Sequence, residues 1–163
     1  MKKIFLLIVL AFTAGGYAQA GSSLADDVAV IQSIYGKSKA DLVKQYMNLS
    51  EPQAAAFQTI YDEYEIQRKA LGQKKMQLIK DYADNYENLD DAKAAELTET
   101  NLKTNAESDK LLSKTFGKVK KAVGGRNAAK FVQLEQYLQV TIRGEIQDSI
   151  PFIDEIDKSK ISK

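Results

Sequence analysis

"LSEPQAAAFQTIYDEY", residues 49–64, sets an apolar residue, a hydroxyl, an early proline and a glutamine ahead of side chains that recur at helical spacing. Ser50 is placed to cap free backbone N–H groups, and Gln53 stands three residues on, where a capping box puts its second side chain. Pro52 falls in the first turn, where it has no helical N–H to forfeit. Behind this entrance Phe57, Ile60, Tyr61, Tyr64, Leu71, Leu78, Tyr82 and Tyr86 step by three, four and seven. Those steps predict one helix over about 51–86, roughly 50 Å long at 1.5 Å per residue.

Working outward, the next stretch repeats the period through Ala95, Leu102, Ala106, Leu112, Phe116, Val119 and Val123, and only the polar turn "ENLD" separates the two. A second helix over about 91–122 and a long antiparallel hairpin are predicted. Upstream, Val28, Ile31, Ile34 or Tyr35, Leu42, Val43 and Tyr46 suggest a further helix with a weak point at Gly36. Downstream, Phe131, Leu134 or Tyr137, Leu138, Ile142 and Ile146 form a stripe closed by Pro151. The expectation is an all-α single domain over residues 21–150, with about four helices. The polar residues 151–163 are expected to form a mobile tail. Phe57, Leu71, Leu78, Leu102, Leu112, Phe116, Phe131 and Leu138 are the expected core.

The chain opens with Lys2 and Lys3, an apolar run from Ile4 to Phe12, and small residues ending Ala18-Gln19-Ala20. That is the architecture of a secretory signal over residues 1–20, and the run is too short to cross a bilayer. Export as a product without stable membrane insertion is therefore expected. Losing Lys2 and Lys3 turns the formal net charge of +1 into −1. That balance gives no reason to expect nucleic acid as a partner. The chain has no cysteine, so no disulfide can staple it, and packing along the helices must carry its stability.

Neither histidine nor cysteine occurs, which removes the usual neutral-pH base, the thiol nucleophile and the common transition-metal ligands. Carboxylate neighbours such as Asp62-Glu63 and Asp90-Asp91 point in different directions on a helix, where a two-carboxylate site needs convergence. No catalytic residue, metal or other cofactor is expected.

The entrance frame recurs. Leu49, Ser50, Gln53 and Phe57 are matched by Leu89, Asp90, Lys93 and Leu97, and again by Val123, Gly124, Asn127 and Phe131. Many helices begin this way, and in the third copy Asn127 could itself be the cap. The first copy also resembles the LTxxQ motif of the Spy/CpxP family of periplasmic chaperones, with Ser50 in place of threonine. The third resembles a second family copy, with asparagine for glutamine. The resemblance implies a bent helical hairpin that dimerises into a cradle and holds partly unfolded proteins without nucleotide, as a chaperone or an envelope-stress adaptor. The alternative is a scaffold protein that binds one dedicated envelope partner.

A surface that grips other proteins needs apolar contacts and charge. Lys110, Lys114, Lys118 and Lys121 share one helix face, with Lys120, Arg126 and Lys130 nearby. Lys118, Lys121 and Arg126 are the candidate grip, and Lys110 and Lys114 are equally placed to pair with Glu63 and Glu65 across the hairpin. Tyr61 and Tyr64 are candidate contact residues or core, since tyrosine suits both.

Overall fold

The computed structural model describes residues 36–153, and these form four α-helices without a strand. Helix α1 is Lys39–Met47, α2 Glu51–Asn85, α3 Asp91–Val123 and α4 Gly125–Ser149, with a 3-10 turn, Tyr86–Asn88, between α2 and α3. The expected all-α hairpin with flanking helices is present, and the boundaries at residues 51 and 91 are where the capping chemistry puts them. The expected signal segment, the upstream residues Val28 to Tyr35 and the tail from residue 154 lie outside the described residues. None of the described helices is long and apolar enough to cross a membrane.

Local chemistry explains each helix start. Gly36 adopts φ 63°, a left-handed conformation that glycine enters without penalty, and α1 begins only after it. Ser38 then caps α1: its hydroxyl accepts from the Asp41 N–H at 3.2 Å and donates to the Asp41 carboxylate at 2.7 Å. The helix ends at Asn48, whose φ of 45° turns the chain toward Leu49. At the α2 entrance Ser50 has the extended backbone of a cap, but its hydroxyl donates to the Gln53 side chain at 3.2 Å and caps no backbone N–H. The expected capping box is thus replaced by a side-chain pair. At α3 the Asp90 carboxylate does accept from the Lys93 N–H, at 2.7 Å.

Two ion pairs fix the register of the α2–α3 hairpin: Glu63 with Lys118, and Lys74 with Glu107. Both are symmetric about the Asp90–Asp91 peptide, because the 3-10 turn carries the reversal past residue 88. Glu63 therefore faces Lys118, one turn beyond the expected Lys110–Lys114. Helix α4 runs back beside α3 and also touches α1, while the α2 and α4 backbones stay apart.

Only Gly124 separates α3 from α4. Its φ of 86° and ψ of 162° form a combination open to glycine and strained for any other residue. It serves both helices, donating its N–H to the Lys120 carbonyl and accepting from the Ala128 N–H. Asn127 is not the α4 cap; from the first turn its amide donates back to the Val123 carbonyl at 3.0 Å, satisfying an α3 end group that lacks a helical partner. A Cβ on Gly124 would meet nothing within 4 Å, so Gly124→Ala isolates the backbone term. It is expected to cost about 1–3 kcal/mol, read as a lowered urea midpoint; an unchanged midpoint would show that the corner relaxes freely.

The core lies at the end of the bundle away from the hairpin turn, where α1 and α4 close it. Val43 and Met47 of α1, Phe57, Tyr61 and Tyr64 of α2, Leu111, Leu112, Val119 and Val123 of α3, and Ala128 and Phe131 of α4 form one buried cluster. Leu71 and Phe116 pack on its edge, half-buried. Leu102, expected in the core, is 62% exposed, because its face of α3 turns away from both neighbouring helices. Toward the turn, burial thins to Leu97 and Thr104 of α3. Pro151 and Phe152, the first residues of the expected tail, are tied to the end of α2 and the 3-10 turn. Tyr82 donates to the Pro151 carbonyl at 3.0 Å and Tyr86 to the Phe152 carbonyl at 2.8 Å.

Candidate functional site

Two of the three repeated frames converge. Phe57 and Phe131, their apolar anchors, meet edge to face with ring centroids 5.8 Å apart, and Leu49 and Val123 belong to the same cluster. Ser50, Gln53 and Asn127 are spent on local hydrogen bonds at the two entrances. The frames therefore build the closed end of the bundle. Tyr61 and Tyr64 join them there, 4% and 2% exposed, each ring near Phe131. This corrects their candidacy as contact residues: both rings are enclosed by α1 and α4, and a partner on the surface does not reach them.

A buried polar clasp holds that end shut, and the sequence reading did not find it. Glu135, 1% exposed, accepts from the Tyr64 hydroxyl and the Lys39 ammonium, each at 2.8 Å. Lys39 also pairs with Glu65, which Arg68 grips through both carboxylate oxygens. The Lys39 ammonium lies 5.7 Å and 5.4 Å from the Tyr61 and Tyr64 ring centroids, close enough for cation–π attraction. One lysine of α1 is thus tied to α2 and α4 together. Burial acts to raise the Glu65 carboxyl, but the Lys39 and Arg68 cations outweigh it and hold the group below the usual carboxylate range. Burial pushes both tyrosine hydroxyls well above their ordinary value. The Tyr61 hydroxyl and Glu135 Oε1 have no hydrogen-bond partner among the described residues. A network left partly unsatisfied adds less stability than apolar packing would, so the clasp orients α1 more than it strengthens the fold.

The candidate cations separate. Lys118 is exposed but engaged with Glu63, and its ammonium holds that carboxyl below the ordinary range. Lys130 donates to the Met47 carbonyl at 2.8 Å and lies over the Tyr46 ring, so it too serves α1. Lys121 and Arg126 are exposed on either side of the Gly124 corner and make no ion pair among the described residues. They remain the accessible charges of that end.

The opposite half of the molecule is open. Between the distal parts of α2 and α3 and the C-terminal half of α4 runs a groove of about 620 Å³. Leu78, Ile79 and Tyr82 enter it from α2, Leu97 from α3, Ile146 from α4 and Ile150 from the residue that ends it. Apart from Leu97, these side chains are half-buried: they touch the bundle and still face solvent. Packing explains the gap. The large rings at the closed end stand between α2 and α4, and farther along the half-buried side chains of the wall leave the space between the helices open. The sequence signal was available, since Leu78, Tyr82 and Ile146 lie on the predicted apolar stripes, but a stripe does not reveal whether its partner is present. No protein-family model, curated protein or solved structure matches the chain.

Proposed function

We propose that the protein is exported to the periplasm and acts there as an ATP-independent chaperone or envelope-stress adaptor, holding partly unfolded proteins on its helical surface. The observation that carries the proposal is the open apolar groove along the distal half of the bundle. Its residues are rigidly presented by long helices and only half-buried, which lets a client's exposed apolar side chains add to the packing that the bundle leaves incomplete. Lys121 and Arg126 add charge that draws a client in from solution without a fixed geometry. Contacts of this kind are weak one by one, so clients leave again without nucleotide. The resemblance of "LSEPQ" to the LTxxQ motif agrees with this reading and with action as a homodimer.

The test is light scattering of a denatured model client in the presence of the purified protein, with no nucleotide. Aggregation is expected to fall at an equimolar ratio, and the protection to weaken with added salt and on neutralising Lys121 and Arg126. Unchanged scattering at several-fold excess of folded, helical protein would contradict the proposal, and would favour a scaffold for one dedicated envelope partner.

A further inference from the structure

We propose that the groove is a docking site for the protein's own chain, residues 154–157, which fold back from Ile153 to lie between α2 and α4. The residues just before them are already seated. Tyr82 of α2 and Tyr86 of the 3-10 turn donate to the Pro151 and Phe152 carbonyls, so the chain leaving α4 is held by its backbone. Pro151, Phe152 and Ile153 line the groove, and the chain enters a turn at Ile153. Residue 154 therefore starts at the mouth of the groove.

The chemistry of the wall suits a peptide. From α3, Thr98, Asn101 and Asn105 set a hydroxyl and two amides in a wall that also carries Leu78 and Ile79 of α2. A docked peptide needs partners for its backbone N–H and C=O groups as well as cover for its apolar side chains, and a mixed wall supplies both. The sequence after Ile153 is Asp154-Glu155-Ile156-Asp157, one apolar residue among three carboxylates. Among the described residues no carboxylate lines the groove, and Arg143, exposed on its wall, makes no ion pair. The charge match needs Arg143 alone, since Lys75 of the same wall is already engaged. Arg143 lies seven residues back from Ile150, two helical turns or about 10 Å. Four extended residues reach up to about 14 Å, which brings Asp157 to the level of Arg143 and seats Ile156 on the way, against Leu78 and Ile79.

Docking is measured without a client, by nitrogen-15 relaxation of the backbone amides of residues 154–157 in the purified protein. Order parameters of about 0.8 or above are expected, close to those of rigid backbone. Ile156→Asp, which removes the apolar anchor, should bring them below about 0.6 with no fall in Tm. Arg143→Glu, which sets like charges against each other, should do the same. Values below about 0.6 in the parent, or high values that neither substitution lowers, would overturn the docking. The functional consequence rests on the reading of the groove as the client surface: a segment held there competes with clients. In the aggregation assay Ile156→Asp should then reach half-maximal protection at a severalfold lower concentration than the parent. High order parameters that Ile156→Asp lowers, together with unchanged protection, would uphold the docking and contradict the client reading instead.

Discussion

Phe131→Ala is expected to lower the free energy of unfolding by about 3–5 kcal/mol, the range for truncating a fully buried phenylalanine. Phe131 is 0% exposed, and it carries the attachment of α4 to α2. Its ring meets Phe57, Tyr61 and Tyr64 with centroids 5.8, 6.4 and 5.4 Å away, all near-perpendicular, the edge-to-face geometry in which aromatic pairs add to simple burial. Because the α2 and α4 backbones do not approach each other, the surroundings have little means of collapsing into the space left by alanine, and the cavity term persists. For a domain of ordinary stability, about 5–15 kcal/mol, the loss is a large share of the total and at the low end of that range leaves a barely folded protein. Urea denaturation followed by far-ultraviolet circular dichroism reads it directly. A loss below about 1 kcal/mol, of the size of an ordinary surface substitution, would mean that α4 is anchored elsewhere.

Lys39→Met is expected to have an effect of similar size, about 3–5 kcal/mol, through a different mechanism. The substitution keeps an apolar stem over the Tyr61 and Tyr64 rings but removes the cation shared by Glu65 and Glu135. Glu65 retains Arg68, whereas Glu135, 1% exposed, retains among the described residues only the Tyr64 hydroxyl. The cost is therefore that of a stranded buried carboxylate, and one further result follows. In the double variant Lys39→Met/Glu135→Leu the loss should be clearly smaller than the sum of the single losses, since the second change removes the stranded charge. In the parent protein the Glu65 carboxyl is held below its unfolded value, so its contribution is present above about pH 4.5 and is lost as the pH drops through the lowered value. Additive losses would show that Lys39 acts by packing alone.

Most of the fold was legible because helix entrances and apolar periods are local signals. Ser50 and Asp90 stand at the ends of the long helices, and the helices predicted over 51–86 and 91–122 are found as Glu51–Asn85 and Asp91–Val123. What sequence could not supply was the angle at which faces meet. Leu102 keeps the period of its helix and still faces solvent, while Glu135 interrupts an apolar stripe and is buried. A carboxylate on the stripe between Phe131 and Leu138 was the one available hint of the clasp. Its partner Lys39 is 96 residues away in the chain, with nothing local to mark it. The lysines show the same limit: a 3-10 turn of three residues moves the hairpin register by about one helical turn, which decides whether Glu63 meets Lys114 or Lys118.

The site divides along the same line. The motif residues Leu49, Gln53, Phe57, Val123, Asn127 and Phe131 could be placed at helix entrances from sequence, and there they build the closed end. The open groove arises from what is missing between helices, and no pattern within one helix records that. If holding clients is the work of this groove, charge placed in it should abolish protection while the closed end keeps the fold. The most direct test is the client-aggregation assay with Ile79→Asp/Ile146→Asp, two half-buried groove residues, against the parent protein at equal helicity. Protection by the parent and none by the variant is the expected result; equal protection by both would contradict the assignment of the groove as the surface that clients meet.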